Sequence, residues 1–254
     1  MTRHIRHRRS AVGTVVGVVG EVFITVGVLL GLFLTWELWW TNVEAVHDQQ
    51  QRVEALGWAY QPDNTPDAPQ YLAPSKKTPV VMKEPAHAVT FATMYVPRFG
   101  ETYARTVSQG TDRATVLDVK GIGHYEGTAM PGGVGNFSVA GHRTTFGKPF
   151  NKIADLKEGD PVVVQTKDGW YVYEVTSTAV VSPGDSEVIA PVPGDTTGKK
   201  PTERFLTMTA CHPMYSLSQR FVVHAKLSYW APTQGDKIPV ELVTGSFSAD
   251  RDVR

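Results

Sequence analysis

Three residues in this chain have side chains and positions suited to joint chemistry. The 254 residues include one cysteine, Cys211, in the stretch TMTACHPMYSLSQR. One thiol forms no internal disulfide, so Cys211 is either a small buried hydrophobe or a reactive thiol, and thiols attack as thiolates. Arg220 opens the run RFVVHAKLSYW, and its guanidinium stays charged at any ordinary pH. His142 closes NFSVAGH. RFLTMTA reads as a strand with Cys211 at its C-terminal end, Pro213 stops it, and the next strand starts at Arg220. Two such adjacent strands put Cys211 and Arg220 side by side at one rim of a sheet. A third strand ending at His142 brings thiol, imidazole and guanidinium to one cleft.

Strands dominate around these residues. AVTFATMYVP, TVLDVKG, NFSVAGH, PVVVQT, GWYVYEVTSTAVV, RFLTMTAC and RFVVHAKLSYW are short, rich in Val, Thr, Tyr and Phe, and bounded by Gly, Pro, Asp or Asn. KDG between two of them is a hairpin signal, and FNKIADLKEGD carries one helical turn. The fold class is all-β, an antiparallel barrel or sandwich with short helices. MPGGVG is glycine-rich, but no Lys-Ser/Thr follows, so it is a turn and not a phosphate loop.

The N-terminal part sets the compartment. MTRHIRHRRS carries Arg3, Arg6, Arg8 and Arg9 and no acid, and a long apolar run follows, broken by Glu21 and Glu37. A membrane-spanning helix needs about 20 apolar residues. Trp36, Trp39 and Trp40 make an outer interfacial belt, Glu21 falls near the inner head-groups, and the basic end stays cytoplasmic. A cleaved signal peptide is the alternative, but its apolar core is shorter, about 7–15 residues, and WELWW offers no small-residue cleavage site. The expected organisation is a cytoplasmic N-terminus over 1–17, an anchor over 18–40, an extracytoplasmic helix and proline-rich linker over 41–87, a catalytic domain over 88–231 and a loosely ordered tail over 232–254. Proline lacks an N–H and favours extended chain, so the linker is expected as a spacer and not a packed element. Lys plus Arg and Asp plus Glu balance at 25 each, which gives no sign of a nucleic-acid partner.

At this point the chain resembles the sortases, membrane-anchored cysteine transpeptidases (thiol proteases in the broad sense) of Gram-positive bacteria. GIGHYEGTAMPGGVGNFSVAGHRTTFG matches their G-x-G-H-Y…P-G…G-N…A-G-H-R block, and Thr207 to Cys211 stands where the family has T-L-x-T-C. Arg220 stands at the catalytic arginine's place. CHP and GHYEGT look most like class E sortases of actinobacteria. The resemblance covers about residues 88 to 230 and implies a closed sortase-type β-barrel behind a transmembrane helix.

It also implies the chemistry. Cys211 attacks the Thr–Gly carbonyl of a C-terminal sorting signal, L-A-x-T-G by the class E likeness. His142 protonates the departing amine, and Arg220 holds substrate and oxyanion. The thioacyl enzyme then passes the protein to an amine of a peptidoglycan precursor or cross-bridge, with no metal or other cofactor. The implied partners are secreted proteins with sorting signals, cell-wall amines and the membrane. Implied substrate contacts are Tyr125, Thr209, Ala210, Val188 and Ile189, the last two in the long loop over 182–203. Tyr125 and His124 have a structural reading as a turn, His212 as a loop-orienting group, and His224 as a strand residue. Two departures stand out. Met208 replaces leucine, a volume-conserving change, and Ala210 replaces the threonine beside the thiol, which puts any contribution of that hydroxyl in doubt. Ala210 leaves open an inactive anchored interaction module on the same scaffold. An L,D-transpeptidase is the other alternative, but residues 204–211 lack its Ser-x-Gly-Cys.

Overall fold

The computed structural model describes residues 11–64 and 69–243. The basic stretch over 1–10, part of the proline-rich linker and the end of the tail lie outside the described residues. Helix α1 spans Ala11–Ala55. Within it Gly13–Trp36 is long and apolar enough to cross a membrane. At 1.5 Å per residue that is roughly 36 Å of helix. This span starts earlier than the anchor expected over 18–40, and Glu21 falls inside it instead of at its edge.

From Glu44 onward the chain forms a second compact unit. Its centre is a closed barrel of eight strands. They are β1 Thr90–Tyr95, β2 Ala104–Gln109, β3 Ile122–His124, β4 Gly135–Gly141, β5 Pro161–Thr166, β6 Gly169–Val181, β7 Arg204–His212 and β8 Gln219–Pro232. Their order around the barrel is β1-β2-β3-β4-β7-β8-β6-β5. The barrel is not wholly antiparallel as expected, because β2 pairs with β3, and β4 with β7, in parallel. Parallel neighbours need a crossover between them. The helical turns over 113–120 form one, and β5 with β6 the other.

Two apolar layers hold the barrel. Phe137, Val139, Val162, Val164, Tyr171, Tyr173, Leu206, Met208 and Val223 fill the interior. The alternate residues Val163, Trp170 and Val172 point outward into a second cluster with Val53, Leu72, Tyr95 and Ile238. With both faces buried, PVVVQT and GWYVY read as unbroken apolar runs instead of alternating ones.

That second layer corrects two expectations. The linker is extended but packed: Ser75 N–H donates to the Trp230 carbonyl at 2.8 Å. Trp230 Nε1 donates to the Lys77 carbonyl at 2.6 Å, and the Tyr171 hydroxyl to that of Val80. An extended proline-rich segment leaves its carbonyls free, and these indole and phenol donors take them. The described part of the tail, 233–243, packs on the barrel. Leu72 N–H donates to the Ile238 carbonyl at 2.9 Å and Ile238 N–H to that of Gln70 at 3.0 Å, so tail and linker cover the outer face together.

TVLDVKG is the third correction, since it is helical and not a strand. A π-helical turn runs over Arg113–Leu117 and leads into α2, Asp118–Lys120. The Asp112 side chain caps it by accepting from Thr115 N–H at 3.0 Å and from the Thr115 hydroxyl at 2.9 Å. Val116 is fully buried, and Gly121 ends the helix at φ +96°. Burial and capping outweigh the strand preference of Thr115, Val116 and Val119. Gly123 follows because a Cβ there would collide with the Gly110 carbonyl.

Candidate active site

The pairing of β7 with β8 sets Cys211 directly opposite Arg220. Opposed residues in an antiparallel pair hold their Cβ atoms about 5 Å apart. On the other side of β7, β4 runs parallel with Ala140 opposite Thr209. Two residues further along each chain come His142 and Cys211. All three therefore line one cleft of about 650 Å³, together with Tyr125, Thr209, Ala210, Arg113, Arg143 and Phe146. The cysteine is half-buried and free.

His142 is held at its carbonyl, its ring face and one ring nitrogen. Its carbonyl accepts from Phe150 N–H at 3.0 Å, and its ring packs on Phe146 at 5.1 Å between centroids. Its Nε2 lies 2.6 Å from Asp118 Oδ1. Arg220 Nη1 donates to the carbonyls of Leu217 at 3.1 Å and Gln219 at 2.9 Å. The loop it grips carries Tyr215 and Leu217, 89% and 72% exposed, at the cleft's mouth. A guanidinium has five N–H donors, so donors remain beyond these two carbonyls.

Tyr125 and Thr209 meet at the cleft wall, with 3.0 Å between their hydroxyl oxygens. Thr209 Oγ1 also donates to the Val139 carbonyl at 3.4 Å. Ala210 is buried among the interior residues. Val188 and Ile189 sit apart: they belong to the turn Ser186–Ile189 and are not among the residues lining this cleft. The Val188 carbonyl accepts from Asn136 Nδ2 at 3.3 Å and from the Thr207 hydroxyl at 3.4 Å, which ties the long loop to β4 and β7.

The other histidines have structural partners. His124 is buried, with Nδ1 2.8 Å from Gln109 Oε1 and its ring stacked on Phe137. Burial pulls its pKa below the ordinary imidazole value. Burial has the same effect on His224, whose Nδ1 lies 2.9 Å from the Thr207 hydroxyl. Arg143 Nη1 donates to His212 Nδ1 at 2.8 Å and to the Cys211 carbonyl at 3.4 Å.

Sequence reasoning missed Asp118, Arg113 and Arg143. Arg143 follows the cleft histidine directly, is buried, and braces the residue after the cysteine. Asp118 was hidden by the strand reading of TVLDVKG. The available signal was Asp112 three residues before Thr115, a helix N-cap pattern.

Among described residues no group of three or more His, Cys, Asp or Glu is placed to hold a metal ion. What the arrangement offers is a nucleophile, a proton carrier and a fixed cation within one cleft.

Comparison with known proteins agrees with this layout. The family model for the sortase domain matches residues 94–228. Sortase SrtE1 of Streptomyces coelicolor is 37% identical over 234 residues, which is 89% of this chain and 61% of that protein. Sortase SrtE2 of the same organism is 32% identical over 234 residues, 88% of this chain and 86% of that protein. The solved structure of sortase E from Streptomyces avermitilis is 41% identical with a TM-score of 0.55, covering 62% of this chain and 99% of that one. The matched region holds most of the barrel and the whole of its cleft, and the chain belongs to the sortase family of cysteine transpeptidases.

Proposed function

We propose that this chain is a membrane-anchored transpeptidase that cleaves a C-terminal sorting signal between Thr and Gly and transfers the protein to a cell-wall amine. The observation that carries this reading is the convergence of Cys211, His142 and Arg220 on one cleft. Cys211 Sγ, as thiolate, attacks the threonine carbonyl. The spare donors of Arg220 face the charge that develops on the carbonyl oxygen. His142 gives a proton to the glycine nitrogen as the C–N bond breaks, leaving a thioester. An amine then attacks the thioester, returns a proton to His142 and releases the thiolate. The acyl bond energy is held throughout in the thioester, so the cycle is balanced without an external energy source.

The signal is L-A-x-T-G. Thr209 and Ala210 contact it beside the scissile bond, Tyr125 meets its second residue, and Val188 and Ile189, off this cleft, are left to its first residue. Gly13–Trp36 serves as the anchor, with the basic N-terminus inside and the barrel outside. Protease added to intact protoplasts then degrades the barrel; a protected barrel refutes this topology.

The full chain, purified in detergent, is incubated with an L-A-x-T-G peptide and a glycine amine. Mass spectrometry should find a thioacyl adduct on Cys211 and a transferred product, both absent in Cys211→Ala. A folded chain that forms neither supports an inactive scaffold. Turnover retained in Cys211→Ala rules out the mechanism.

A further inference from the structure

Both ion pairs beside the cleft converge on one carboxylate. Asp118 Oδ1 lies 2.6 Å from His142 Nε2 and 3.6 Å from Arg113 Nε. Asp118 is not a floppy surface acid. Its backbone N–H is tied to the carbonyls of Arg113 and Val116, and its side chain is 21% exposed, against 15% for His142 and 69% for Arg113. An ionised carboxylate only accepts, so the facing imidazole nitrogen has to carry a hydrogen whether the ring is neutral or charged.

We propose that Asp118 is a positioning residue that holds His142 with its proton on Nε2, which makes Nδ1 the nitrogen that exchanges protons during the reaction. The inference rests on the transpeptidase reading above. In the first half-reaction the Cys211 thiol yields its proton to Nδ1. The thiolate forms the C–S bond, and the Nδ1 proton passes to the glycine nitrogen as the C–N bond breaks. His142 is then neutral with Nε2–H still on Asp118. In the second half-reaction the incoming amine forms the new C–N bond, Nδ1 takes its proton, and the C–S bond breaks. The Nε2 hydrogen never leaves, and Asp118 gains and loses nothing. Arg113 sets a positive charge 3.6 Å from the same carboxylate oxygen.

The test is nitrogen-15 NMR of the full chain in detergent micelles, labelled at histidine, with His142→Gln assigning the signals. Spectra are taken across a pH series, and the tautomer is read at the high-pH plateau where the ring signals no longer move with pH. The unmodified protein should show His142 with a protonated Nε2 and a bare Nδ1. Asp118→Asn keeps the shape but presents an amide that can donate to Nε2, so it should populate the Nδ1–H form and lower kcat by on the order of 10²-fold. The peptide KM should change by less than about threefold, since the group acts on the proton carrier and not on ground-state binding. Asp118→Glu, which keeps a carboxylate, should recover part of both signals. A bare Nε2 in the unmodified protein overturns the inference, as does an Asp118→Asn variant with unchanged tautomer and kcat. The spectrum needs no substrate. If the unmodified chain transfers no peptide, the transpeptidase reading fails while the tautomer still answers for Asp118.

Discussion

Replacing Tyr125 by phenylalanine removes one oxygen from the cleft wall and leaves the ring. The backbone around it is held independently: Tyr125 N–H donates to the Ser138 carbonyl at 2.9 Å, and Thr128 N–H to the Tyr125 carbonyl at 3.2 Å. Thr209 spends its hydrogen on the Val139 carbonyl, so at 3.0 Å the tyrosine donates and the threonine accepts. The tyrosine oxygen then has lone pairs but no hydrogen left for the peptide. On the proposed function it would select by accepting the N–H of the signal's second residue, which alanine has and proline lacks. Each lost hydrogen bond is worth about 0.5–1.5 kcal/mol. Loss of the Thr209 contact should lower Tm by about 1–6 °C in a domain of this size. Loss of the peptide contact should cut the preference for L-A-x-T-G over L-P-x-T-G by about 2- to 12-fold. The assay is kcat/KM for paired fluorogenic peptides with the full chain in detergent, beside a melting curve. Equal kcat/KM for both peptides in the unmodified protein refutes the assignment. A lowered Tm with an unchanged preference refutes the peptide contact and leaves the Thr209 bond intact.

Two further outcomes follow from the packing and from the buried imidazoles. Ile238 is 2% exposed in the outer cluster with Leu72 and Val53, so Ile238→Ala should cost about 2–5 kcal/mol of stability, read by urea melts. A near-neutral result would mean that the tail does not hold the linker to the barrel. Burial depresses the folded-state pKa of both His124 and His224, so the unfolded chain binds more protons just below the ordinary imidazole value. Stability is therefore full above about pH 6.5 and should fall between there and about pH 5, before most carboxylates titrate. His224→Gln should flatten that slope, and a Tm flat across this window in the unmodified protein would contradict it.

Much of the site was legible because its residues sit at strand ends. Strand ends are marked locally by Pro213, by the glycines of GIG and AGH, and by runs of β-branched residues. β6 was read at its observed bounds, and the strand reading RFLTMTAC with RFVVHAKL set Cys211 against Arg220 as the pairing has it. ARTVSQ went unread as a strand because its threonine, serine, arginine and glutamine hide its pattern. Two of its polar side chains find partners distant in sequence: Thr106 donates to the Lys120 carbonyl at 3.2 Å, and Gln109 Nε2 to Glu84 Oε1 at 2.5 Å.

The sequence by itself determined the family, the all-β class, the apolar N-terminal helix and the three residues that converge on the cleft. Each of these is written in short windows: a motif, a period, a run of one character. Only the tertiary structure decided that TVLDVKG is helical, that β2–β3 and β4–β7 run in parallel, and that linker and tail form an outer layer. Only there does Asp118 come within 2.6 Å of His142, and Arg143 within 2.8 Å of His212. Propensity is weak beside burial: Val116 gains more from leaving water in a capped helical turn than its β-branch loses there. An ion pair between residues far apart along the chain leaves no local pattern, because closing the barrel is what creates it.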